Sequence, residues 1–119
     1  MPAACFYSHT EFVQRNPNTC QALANAIVRG LKWLQTAGPS DIIKTVPEGY
    51  LLGDRALYLA SFNKVREAIS LDGLMAEEGA RTALKALTSF DPTIKAEKIE
   101  LGKTYTNEFA RRAKDKFKA

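Results

Sequence analysis

Apolar residues recur at spacings of three and four through Cys20, Leu23, Ala24, Ile27, Val28, Leu31 and Leu34, which is one face of a helix. The same stretch carries its own start and stop. Asn16 is placed to cap, its side-chain oxygen accepting from a free backbone N–H of the first turn. Pro17 follows at the first helical position, where a missing N–H costs nothing. Gly38 fits the left-handed residue that closes a helix, and Pro39 prevents continuation. A helix of about twenty residues is about 30 Å long, the width of a small domain. It needs something large to lie against.

Other periodicities are shorter. Residues 3–7, Ala-Ala-Cys-Phe-Tyr, form an apolar run of strand length. Ser8-His9-Thr10-Glu11 matches a capping box and predicts a short helix from about Thr10 that includes Phe12 and Val13. Ser40 and Asp41 cap a helix with Ile42 and Ile43, and Pro47 ends it. After the turn Glu48-Gly49-Tyr50, Gly53-Asp54 introduces a helix with Tyr58, Phe62, Val65 and Ile69 on one face. Asp72-Gly73 is a turn, and Met75 to Leu87 a helix with Ala80, Ala83, Leu84 and Leu87 inward. Asp91-Pro92 breaks it. Ile94, Ile99 and Leu101 anchor an extended segment, and Thr104 caps a last helix with Tyr105, Phe109 and Ala113 on its inner face.

The fold class is therefore mainly α with one N-terminal strand. A lone strand is physically incomplete, because its backbone groups need a partner. It implies a sheet that lies elsewhere or is completed by another chain.

Length makes residues 1–119 a single domain, large enough to bury roughly 65% of its unfolded surface. With 45% hydrophobic and 25% charged residues, the composition is that of an ordinary globular chain. No run approaches the roughly 20 apolar residues of a membrane span. The N-terminal residues lack the basic segment of a signal peptide, so the chain as written stays in the cytoplasm. The net charge of +4 changes the picture less than it first promises. Residues 111–119 form a basic terminal tail that carries the whole excess, and the rest is balanced. Basic residues at a helix C-terminus complement its dipole, which is the preferred reading over a phosphate or membrane patch. Cys5 and Cys20 do not make a metal spacing, and a buried thiol is the default for Cys20, with a disulfide to Cys5 as the alternative in an oxidising compartment.

Candidate chemistry is sparse. His9, the one histidine, sits in a capping turn without placeable catalytic partners. Glu77, Glu78 and Asp41 read as first-turn carboxylates. There is no phosphate loop, metal cluster or nucleophile elbow. Gly30 inside the long helix costs up to ~1 kcal/mol against alanine, which implies close packing by a neighbour. Trp33 beside the apolar face is read as partly buried, and the tyrosines are too dispersed to form a base-stacking platform. These residues argue against an enzyme and call for no cofactor or metal.

Several stretches occur together in a familiar order. They are Glu11-Phe12-Val13 with Asn16-Pro17, residues 22–34, Gly53-Asp54, Leu57-Tyr58, Asp72-Gly73-Leu74-Met75 and residues 101–109. In this order the chain resembles, from about Ala3 to Lys116, the C-terminal part of periplasmic substrate-binding proteins of ABC importers. The type resembled is that of nitrate, alkanesulfonate and taurine receptors, a family that also includes proteins resembling thiamine-pyrimidine-precursor binders. The resemblance implies a partial lobe of a type II α/β receptor, a periplasmic full-length parent and an ABC permease as that parent's partner. It implies a small, anionic, nitrogen- or sulfur-containing solute, with little binding by this chain alone. Tyr7 and Ser8, at the end of the expected strand, would then face the solute, Tyr7 by stacking or hydrogen bonding and Ser8 by donating to an anionic group. The plainer assignment packs Tyr7 in a hinge and uses Ser8 as a helix cap.

An exposed sheet edge and apolar helix face predict self-association, as a dimer that exchanges a strand or helices. The alternative is an independent helical module that binds protein or nucleic acid. The neutral body and the lack of a recognition helix weigh against nucleic acid.

Overall fold

Two prolines, each at a first helical position, set where the chain turns. The computed structural model describes residues 2–119. Among them are six α-helices: α1 (Thr10–Arg15), α2 (Pro17–Thr36), α3 (Pro39–Thr45), α4 (Arg55–Val65), α5 (Glu77–Phe90) and α6 (Glu108–Phe117). Short 3-10 turns lie at Glu48–Leu51, Arg66–Ala68, Ala96–Lys98 and Leu101–Lys103. The fold is mainly helical, as the periodicities predict.

The predicted N-terminal strand is not formed, and there is no strand among the described residues. Residues 3–7 are irregular, and the Tyr7 side chain is 93% exposed. The apolar run has the composition of a strand, but no second segment offers its backbone a ladder. Among the described residues there is thus no sheet on which a receptor lobe could be built.

The long helix is the element the sequence describes best, yet both its ends differ in detail. Pro17 opens α2. The Asn16 side chain does not cap it; its Nδ2 donates back to the Phe12 carbonyl at 3.1 Å, closing α1 instead. Gly38 is not left-handed but extended, at φ −86° and ψ 173°. The residue before a proline is pushed to this region, and α2 already ends at Thr36, where the Ala37 N–H donates to the Trp33 carbonyl at 2.9 Å. The Gly38 N–H donates to Asp41 Oδ2 at 2.9 Å, so Asp41 caps α3 from inside.

Left-handed backbone occurs instead at Leu52 and Gly53, in the turn that feeds α4. Asp54 then caps as predicted, accepting from the Leu57 N–H at 3.0 Å. The expected run to Ile69 is interrupted, since α4 ends at Val65 and a 3-10 turn follows. The segment 93–101 is not extended but coils into 3-10 turns. The last helix starts at Glu108, later than the predicted Thr104 cap.

Packing centres on α2, against which α6 lies. Val28 and Ala113 are buried almost completely at this contact, and the small side chain lets α6 approach closely. Gly73, at φ +77°, crosses the same place: a Cβ there would sit 3.4 Å from Val28 and 3.6 Å from Leu31. The rest of the buried apolar set is Ala37, Ile42, Leu51 and Ala80. That is a thin core for this length, and the surface reflects it. The chain exposes 9368 Å², where a compact monomer of its 13.2 kDa mass exposes about 6,400 Å². Its radius of gyration is 17.1 Å, against about 13.5 Å for a compact domain of the same length.

Candidate functional site

The two residues singled out for solute contact, Tyr7 and Ser8, are neighbours on the exposed N-terminal segment. Neither lines either of the two open depressions described below. Ser8 does not close a capping box; His9 occupies the cap position of α1, without a side-chain cap bond. Cys5 is exposed and Cys20 half-buried, and both are free thiols rather than a disulfide. Among the described residues no group of histidine, cysteine, aspartate and glutamate could hold a metal ion. Two open depressions, one lined by Glu48, Leu51, Gly53, Asp54 and Arg55 and one by Glu77, Glu78, Arg81, Thr82 and Lys85, carry no gathered chemistry.

A polar cluster that sequence reasoning missed lies where the chain between α4 and α5 crosses α2 and α6. The Ser70 hydroxyl accepts from the Gly73 N–H at 2.8 Å, and Asp72 Oδ1 from the Leu74 N–H at 3.0 Å, which shapes the turn. The other oxygen of Asp72 accepts from Lys114 Nζ of α6 at 2.8 Å. Lys114 beside it holds the Asp72 carboxyl below the usual carboxylate range, partly opposed by burial and aided by the Leu74 N–H. One residue on, Met75 exchanges two bonds with the Asn107 amide: its N–H donates to Oδ1 at 2.8 Å and its carbonyl accepts from Nδ2 at 2.9 Å. An asparagine here imitates the edge of a peptide backbone. Gln35 Nε2 donates to the Leu71 carbonyl at 2.8 Å.

The ends of α2 are pinned similarly. Arg66 donates to the carbonyls of Leu34 and Ala37, so a guanidinium closes the helix C-terminus and meets its dipole. Near the other end, Gln21 Nε2 donates to the Phe109 carbonyl at 2.9 Å and to Asn25 Oδ1 at 3.0 Å, while its Oε1 is buried without a partner. These groups hold elements together. None aims a nucleophile, base or anion hole at a shared point.

The basic tail is largely engaged. Lys114 pairs with Asp72, Arg112 with Glu108, and Lys116 lies over the Phe117 ring.

The apolar face of α2 is split. Ala24, Val28 and Leu31 are covered to varying degrees, Val28 fully. Leu23 and Ile27 remain 50% and 41% exposed, and Trp33 40%. With Gly30 they lie roughly 100–160° around the helix from Val28, at about 100° per residue. The close neighbour expected at Gly30 is not there, since a Cβ at that position would meet nothing within 4 Å. Leu57, Leu71, Leu87 and Phe90 extend the apolar exposure over other elements.

No family model matches the chain, and no curated protein matches it. With an all-helical set of described elements and no supporting family match, the assignment to periplasmic substrate-binding proteins is overturned: short motifs in a familiar order reproduce helix caps and turns that many folds share. No helix among the described residues is long and apolar enough to cross a membrane. The chain is similar to a solved protein of Bordetella bronchiseptica RB50, at 53% sequence identity and a TM-score of 0.90 over 94% of this chain and 35% of that one, so it spans about a third of that protein's length.

Proposed function

We propose that the chain is a non-catalytic helical packing module that works by covering a larger polypeptide body. One observation carries this reading: the chain exposes about 3,000 Å² more than a compact protein of its mass. A standard interface takes only about 800 Å² from each partner. The excess is of the size that obligate association or a domain core removes from water. The partial-length likeness to the Bordetella protein supports the same reading, because the matched fold there belongs to a chain nearly three times as long.

The test uses a chimera in which this chain replaces the matched region of that protein. The isolated chain is expected to bind 8-anilinonaphthalene-1-sulfonate with strong fluorescence, and the chimera to bind little. An isolated chain that is monomeric and silent to the dye would sink the proposal. Self-association is the competing outcome, visible as a mass that rises with concentration in sedimentation.

The solute-binding role stands as a second proposal, without the receptor-lobe assignment. It rests on Tyr7 and Ser8, consecutive residues that both lie on an exposed segment. Titration of the chimera with nitrate, taurine and short alkanesulfonates should give a saturable heat that Tyr7→Ala removes. Absence of heat with all three rejects it.

A further inference from the structure

We infer that the outer flank of α2, built on Leu23, Ile27, Gly30 and Trp33, is the face that packs on the polypeptide body corresponding to the unmatched two thirds of the Bordetella protein. The inference rests on the covering role proposed above and assigns it to particular residues.

The flank is apolar except for Thr19 near its N-terminal end. Ala22, Leu23, Ala26, Ile27, Gly30, Trp33 and Leu34 share that side, and no charged residue stands among them. A solvated helix face carries charged and polar side chains, and a face that lacks them is a buried one. The helix does possess charges, but they are directed elsewhere. Arg29 lies over the Phe117 ring, 5.6 Å from its centroid, and Lys32 donates to the Phe117 carbonyl at 2.6 Å. Both belong to the α6 side.

Gly30 is the second observation. It does not have the positive φ that would require glycine, and no neighbour in this chain crowds it. A mid-helix glycine without either reason is a net loss for the isolated chain. It becomes useful when an outside backbone or bulky side chain approaches the helix there. Leu23 and Ile27 on one side and Trp33 on the other then form the walls of a shallow seat with glycine at its floor.

The occupant follows from the area and from the likeness. The uncovered surface is several times the share of a standard dimer contact. The same fold, at 53% identity, is found in a chain in which about two thirds of the residues have no counterpart here. A body of that size is sufficient to cover the flank and the remaining apolar exposure together.

The experiment compares two variants in two settings, the chimera and the isolated chain, by calorimetric melting. Gly30→Leu should raise the melting temperature of the isolated chain, because leucine is the better helix former. In the chimera it should lower it by about 4 °C, because the seat is filled; overpacking of one site shifts a protein of that length by this order. Ile27→Asp should shift the isolated chain by about 2 °C or less and the chimera by about 10 °C or more. Gly30→Leu stabilising both settings overturns the inference. If Leu57→Asp on α4 destabilises the chimera while Ile27→Asp does not, the covering role survives and this face is wrong. If Ile27→Asp abolishes a concentration-dependent dimer of the isolated chain, a second copy is the occupant and the inference fails. A chimera with no cooperative transition overturns both the inference and the covering role.

Discussion

Asp72 ties the turn before α5 to α6 through one carboxylate. Its Oδ1 fixes the turn at Leu74, its Oδ2 holds Lys114 of α6, and the turn it shapes delivers Met75 to Asn107. Because Lys114 holds the folded-state pKa down, the contribution of the pair to stability is present above the ordinary carboxylate value near about 4 and is lost as pH falls through the lowered folded value. Melting temperature measured between pH 6 and pH 2 should therefore fall on the acid side, and Asp72→Asn should flatten that limb. At neutral pH the same variant should cost only about 1 kcal/mol or less, since the Asp72 and Lys114 side chains keep 26% and 38% exposure. An acid limb identical in the variant and the parent would show that other carboxylates govern it.

At the scale of elements, the chain reveals more about helices than about what they touch. Pro17, Pro39, Pro47 and Asp54 act locally, and each marks a boundary close to where the structure has it. A glycine that follows an apolar face, as Gly38 does, reads as a left-handed stop. The following proline forces that residue extended, so Ala37 closes α2 and Gly38 opens α3. The start of α6 is ambiguous in the sequence, because Thr104, Thr106 and Asn107 can all cap. Asn107 takes the position although its side chain is committed to Met75, thirty-two residues away. No local pattern encodes that pairing. The strand at residues 3–7 fails for a related reason: alternation and composition describe a surface, while a strand also needs a partner edge. The candidate site shows the same limit. Tyr7 and Ser8 are legible as the end of an apolar run, where the resemblance implies solute contact; the structure leaves both on an exposed segment. The apolar positions of α2 were legible as one face. Their division into a covered and an uncovered side depends on where α6 and Gly73 lie.

For the whole molecule, the thinness of the core has a thermodynamic consequence that is independent of any partner. The unfolded chain of this mass exposes about 19,000 Å², and the folded chain still exposes 9368 Å². Folding thus removes roughly half of the surface, where even a 60-residue domain removes about 60%. The denaturant dependence of stability scales with the surface exposed on unfolding. Urea unfolding of the isolated chain should accordingly give an m-value about three quarters of that of a compact domain of equal length, since the surface change is smaller in that proportion. The same argument sets the sign for the chimera. Covering the α2 flank and the apolar positions of α4 and α5 adds buried surface, so unfolding of the joined protein should be steeper than the isolated chain's slope, scaled by length, would give. An m-value for the isolated chain at or above the compact-domain figure would mean that in solution it buries its apolar flanks by itself, and the covering role would lose its physical basis.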